Sequence, residues 1–94
     1  MNMEIQYSRA AIRFFHRNPA VMTQEKARDL IISAVKKILK IENTNIDVKY
    51  LKGDLKGSYR IRTGKARIVF SLHKESDPLV VVVKAVGFRK DVYQ

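Results

Sequence analysis

The stretch GSYRIRTGKARIVF, residues 57–70, decides how the chain is read. Tyr59 and Ile61 alternate with Arg60 and Arg62, the turn Thr63-Gly64-Lys65 follows, and Ala66, Ile68 and Phe70 then resume the alternation. A period of two on either side of a glycine turn predicts a β-hairpin. Paired, its strands put Ile61, Ile68 and Phe70 on one face and Arg60, Arg62 and Arg67 on the other. No carboxylate occurs in these 14 residues, so the hairpin offers its cations no partner. Like charges side by side across strands repel each other, so an anionic ligand is a better reading than a solvated face.

Working outward, the period of two continues. ARIVFSLH places Leu72 with Phe70, Ser76-Asp77-Pro78 marks a turn, and LVVVVKAVGF is apolar on both faces, as in a central strand covered on both sides. Lys84 interrupts that run and is read as ending burial of one face. Upstream, VKYL (48–51) reads as a short strand, and LKGDLKG as a glycine-bearing turn.

The N-terminal half changes period. MEIQYS alternates Met3, Ile5 and Tyr7 with polar neighbours, which predicts a strand. Ser8 is placed to cap a helix through RAAIRFFHRN, ended by Asn18-Pro19. Thr23 caps a second helix, with Glu25 suited to its first turn. There Ala27, Leu30, Ile31, Ala34, Val35, Ile38 and Leu39 recur every three or four residues, opposite Lys36, Lys37 and Lys40. The segment ENTN breaks it. The organisation is strand, two helices, then an antiparallel meander, βααβββ. It is an α+β fold in one 94-residue domain, with a helical hairpin packed on one face of a small antiparallel sheet. The expected core includes Leu30, Ile31, Ile61, Ile68, Phe70 and Val83.

Composition narrows the function. The chain carries 19 Lys and Arg against 9 Asp and Glu, a net charge of +10. Residues 49–94 hold eleven of the basic and four of the acidic residues, so the excess is weighted toward the meander. Such a balance in a small domain points to a polyanion or an acidic protein partner. With no cysteine, disulfides and thiolate metal sites are excluded, and His16 and His73 form no metal motif. No metal and no cofactor is expected. No run approaches membrane-spanning length, and a cytoplasmic location is the expectation.

Two segments together, LKGDLKGSYRIRTGKARIVFSLHKE and VVVKAVGFRKDVY, resemble the RelE branch of the RelE/ParE toxin superfamily of type II toxin–antitoxin systems. The resemblance covers roughly residues 46–93 by motif and the whole chain by element order. It implies a ribosome-dependent mRNA endonuclease that cuts messenger in the ribosomal A site, with the ribosome, mRNA and a RelB-like antitoxin as partners. Basic family positions match Lys52, Arg60, Arg62 and Arg67; the arginine after the last strand matches Arg89, and a C-terminal tyrosine matches Tyr93. The chain departs from many members in reading Gly87-Phe88-Arg89 where they have Gly-His-Arg, and in ending one residue after the tyrosine.

Metal-free RNA cleavage proceeds by attack of a 2′-OH on the adjacent phosphate, leaving a 2′,3′-cyclic phosphate and a free 5′-OH. It needs a base, an acid, and donors for charge growing on the phosphoryl oxygens. Tyr93 is the candidate base, since nearby cations lower a phenol's pKa. Arg60, Arg62 and Arg67 supply those cations, and Arg89 is placed to stabilise developing charge or to protonate the leaving oxygen, although a guanidinium is a poor acid. Lys52, Lys56, Lys65 and Lys90 are expected to contact RNA backbone rather than to catalyse; Lys65, in the turn, is also read as solvated. His73 is a surface residue and a fallback base, His16 suits a helix C-terminus, and Phe14-Phe15 is core or partner surface. Two alternatives stand beside the nuclease: a ParE-like inhibitor of DNA gyrase, and a non-catalytic basic RNA-binding module.

Overall fold

The computed structural model describes residues 2–53 and 57–90. β1 (Met3–Tyr7) is followed by α1 (Arg9–Arg17) and α2 (Gln24–Ile38), then β2 (Val48–Tyr50), β3 (Ser58–Thr63), β4 (Ala66–His73) and β5 (Leu79–Phe88). The expected caps form: Ser8 Oγ accepts from the Ala11 amide and Thr23 Oγ1 from the Lys26 amide, both at 3.1 Å. Each satisfies one of the orphan amides of a first helical turn. Met3, Ile5 and Tyr7 of β1 turn inward, with Glu4 and Gln6 exposed.

The five strands lie in the order β1-β5-β4-β3-β2. This is an α+β fold with the helices on one face of a mostly antiparallel sheet, but it departs from the expected βααβββ in two respects. The strand read at VKYL forms and pairs with β3 as a short edge strand, so the meander has four strands, one more than that order counts. The first strand runs parallel to the last, with Met3 opposite Leu79 and Tyr7 opposite Val83. Ser8 extends that pairing by donating its amide to the Val83 carbonyl at 3.0 Å.

The core lies between the helices and the sheet. Ala27, Ile31, Ala34 and Val35 of α2 and Ala11 and Phe15 of α1 pack with Ile61, Ile68, Phe70, Val81, Val83 and Val86. Of the expected core, Ile31, Ile61, Ile68, Phe70 and Val83 are fully buried, and Leu30 packs half-buried at the margin. Phe15 meets Tyr7 edge-on at 5.7 Å and Phe14 meets Phe88 edge-on at 5.4 Å, so both phenylalanines pack internally. Edge-to-face contacts of this kind add about 0.5–1.5 kcal/mol beyond area burial.

The hairpin register follows the alternation in the sequence. Ile61 pairs with Ile68 and Arg62 with Arg67, while Arg60 lies opposite Val69. Gly64 takes φ +52° at the first central position of the two-residue turn, a conformation that side chains with a Cβ rarely adopt. No helix among the described residues is long and apolar enough to cross a membrane.

Candidate RNA-binding face

Strand alternation delivers Arg60, Arg62 and Arg67 to the sheet face opposite the helices. They line one open depression of about 390 Å³ with Lys49, Leu51 and Lys52. Arg67 also borders a second hollow of about 580 Å³, lined with Gly64, Lys65, Phe88, Arg89 and Lys90. The two hollows share Arg67, so the fold brings together seven of the nine residues singled out in the sequence. Lys56 and Tyr93 lie outside the described residues.

Arg89 is anchored at the hairpin end of the face. Its amide donates to the Lys65 carbonyl at 2.9 Å, and its guanidinium donates to the Gly64 carbonyl at 3.3 Å. The turn and the end of β5 are thereby tied to each other. Phe88, at the position of the frequent family histidine, has its ring against Phe14 and its edge on the second hollow. An aromatic hydrocarbon at this position supplies packing and no proton-transfer group.

The arginines are less exposed than an open, solvated face would have them. Arg60 and Arg67 are both buried, and so is Val69, which shares their face and stands across the ladder from Arg60. Long arginine stems cover apolar surface while the charged heads reach polar surroundings. Arg62 is half-buried, and its buried Nε has no hydrogen-bond acceptor among the described residues.

Arg60 has an internal partner, which corrects the reading of a face with none. Arg60 donates to a carboxylate oxygen of Asp47 at 2.8 Å; the Arg60 side chain is 9% exposed and that of Asp47 52%. The pairing depends on β2: Asp47 immediately precedes it, and the Arg62 amide donates to the Asp47 carbonyl at 3.0 Å. The hydrogen bond from Arg60 holds the Asp47 carboxyl below its ordinary pKa. Burial opposes that shift, and the charges of Arg60, Arg62 and Arg89, each a smaller effect, act with the hydrogen bond. Asp47 therefore stands in the field of several guanidiniums.

Sequence reading missed both Asp47 and Lys49. Lys49 was legible, since its alternation within VKYL sends it to the arginine face opposite Arg60. Asp47 carried no such signal. His73 is exposed at the far end of β4, six residues from Arg67, or about 20 Å along an extended strand. Its ring is near Ser71 Oγ at 3.5 Å, and His73 stands four residues along β4 from Val69, the partner of Arg60.

A continuous groove of guanidinium and ammonium groups on a rigid sheet suits recognition of phosphodiester oxygens. Arginine's fixed fork matches phosphate geometry, and lysines add point charge. The architecture carrying it is that of the RelE/ParE-type toxins. The chain superposes on the YoeB/ParE toxin from Agrobacterium tumefaciens with a TM-score of 0.65 at 24% identity, over 93% of this chain and 99% of that one. YafQ from E. coli gives 0.63 at 8% identity, over 98% and 99%. A RelBE2 toxin–antitoxin complex from Mycobacterium tuberculosis contributes a third match, 0.57 at 21%, over 95% and 100%. At these identities the likeness establishes the fold. No protein-family profile matches the chain, and no curated protein does.

Proposed function

We propose that this protein is the toxin of a type II toxin–antitoxin system and acts as a ribosome-dependent endoribonuclease that cleaves messenger in the A site. The observation that carries this reading is the convergence of Arg60, Arg62 and Arg67 on one open face that continues through Arg67 to Arg89. The toxin fold adds support.

In this reading the messenger backbone lies along the groove, held by Lys49, Lys52, Lys65 and Lys90, with Lys56 as a further contact. The scissile phosphate sits among Arg62, Arg67 and Arg89. A base removes the 2′-OH proton, the 2′-oxygen attacks phosphorus, and the bond to the 5′-oxygen breaks as that oxygen takes up a proton from water. The products are a 2′,3′-cyclic phosphate and a 5′-hydroxyl. Tyr93 is assigned the base. The arginines stabilise the extra negative charge of the phosphorane-like transition state; one such donor is worth roughly 10²–10³ in rate. Asp47 orients Arg60, and its depressed pKa makes it a weak base.

An antitoxin partner is part of the proposal, since relatives of this fold include the YoeB–YefM toxin–antitoxin complex of Staphylococcus aureus. An acidic, apolar segment folding on the toxin would match the basic face. The cytoplasm, where ribosomes are, is the proposed location.

Incubation with programmed ribosomes, followed by mapping of the cuts and their end groups, tests the nuclease. Cuts within the A-site codon ending in 2′,3′-cyclic phosphate are expected, and intact messenger refutes the assignment. The Agrobacterium match also bears the ParE name, so a gyrase supercoiling assay belongs beside it. Gyrase inhibition without RNA cleavage would reverse the ranking.

A further inference from the structure

Strict alternation along LVVVVKAVGF would send Val81, Val83 and Ala85 one way and Val82, Lys84 and Val86 the other. The buried members are instead Val81, Val83 and Val86. Parity changes at Lys84 because the β4–β5 ladder is bulged there: Val69 faces Ala85 and Phe70 faces Val83, leaving Lys84 as the extra residue. The bulge is pinned from below. The Ser8 amide donates to the Val83 carbonyl and Ser8 Oγ to the Lys84 carbonyl, each at 3.0 Å. The residue that caps α1 therefore also fixes where Lys84 stands.

Bulges re-aim side chains, and this one aims a lysine at the arginine face. Lys84 Nζ donates to Ser58 Oγ at 2.8 Å. Ser58 is fully buried and stands two residues before Arg60 on the same face of β3. The lysine crosses from β5 over β4 to reach it, spanning strands that lie about 10 Å apart. An ammonium has three donors. Ser58 takes one, and Lys84 is otherwise exposed.

We propose that Lys84, steadied by Ser58, is a phosphate-binding position that extends the groove beyond Arg60. It would hold the backbone of the nucleotide adjoining those gripped by the arginines. Ser58 and Arg60 are separated by about 7 Å along the strand, on the scale of consecutive phosphates in an extended single strand. The inference rests on the reading of this face as an RNA surface and adds to it a direction and a length.

Lys84→Met keeps the aliphatic stem and removes the charge; Lys84→Arg keeps the charge. The probe is a 2′-O-methyl hexaribonucleotide, which cannot be cleaved, titrated over a range of salt concentrations and compared with a dinucleotide too short to span the groove. Lys84→Met should weaken hexamer binding severalfold and lower the salt slope by about 0.7, the value for one phosphate of a single strand. Lys84→Arg should restore the slope, and dinucleotide binding should be unaffected. A Lys84→Met protein that melts earlier yet keeps the wild-type slope overturns the proposal and leaves Lys84 as a structural partner of Ser58. Arg62→Gln separates the two levels. A slope lowered by Arg62→Gln but not by Lys84→Met refutes the extension alone; a slope lowered by neither refutes the RNA face itself.

Discussion

Replacing Asp47 by Asn keeps the side chain's shape and removes the carboxylate that meets Arg60 at 2.8 Å. Arg60 is almost entirely withdrawn from water, whereas Asp47 is half in it. A hydrogen bond to a charged group contributes about 1.5–3 kcal/mol, while exposed ion pairs contribute about 0.2–1 kcal/mol. With one partner buried and one wet, a loss of about 1–2 kcal/mol is expected. Removal of the negative charge also leaves Arg60, Arg62 and Arg89 to repel one another, which acts in the same direction. In a domain of this size that corresponds to a fall in Tm of roughly 4–16 °C. Thermal or urea unfolding of wild type and Asp47→Asn at neutral pH measures it. The pH dependence supplies an independent check, because the folded pKa of Asp47 is depressed. The wild-type advantage should be fully present above the unfolded aspartate value of about 3.9, and should vanish as pH falls through the lower folded value. Equal stability of the two proteins at pH 7, or a difference that persists in strong acid, would refute the pairing as a source of stability.

Further outcomes are expected at other positions. Tyr93→Phe should lower single-turnover cleavage about 10²-fold or more with ribosome affinity unchanged; weakened binding with normal cleavage in bound complexes would reassign the residue to positioning. Lys40 follows α2 with φ +58°, a conformation that costs a side chain about 1 kcal/mol. Lys40→Gly should therefore raise stability in urea by roughly 0.5–1 kcal/mol, and no gain would show that the lysine makes compensating contacts. Ribosome binding should weaken steeply with salt as cations release phosphate counterions, and a flat response would exclude the arginine face from nucleic-acid contact.

Local patterns in the sequence carried much of this structure. The alternation of Tyr59 and Ile61 with Arg60 and Arg62 sufficed for the hairpin, its register and the placing of three arginines together. Ser8 and Thr23 declared the helix starts through their side-chain oxygens. Non-local pairing was not legible in the same way. Nothing in MEIQYS marks it as a parallel partner of a strand more than seventy residues later. Asp47, 13 residues from Arg60, was hidden because a three-residue edge strand brings it alongside. The bulge at Lys84 was invisible for a different reason: in a run of valines a shift of parity changes no residue type, so hydrophobicity keeps no record of it. The apolar character of both sides of β5 reflects that shift and the half-buried Val80 and Val82, not a second covering layer of helices.

The central claim is that the arginine face performs the cleavage. It is tested most directly by the single-turnover rate of Arg62→Gln on programmed ribosomes, with its melting temperature measured alongside. Arg62 is half-buried and its Nε has no acceptor among the described residues, so the substitution should leave melting close to wild type. The account predicts a rate lower by about 10²–10³, the usual cost of one transition-state donor. Wild-type cleavage by a normally folded Arg62→Gln protein would contradict it.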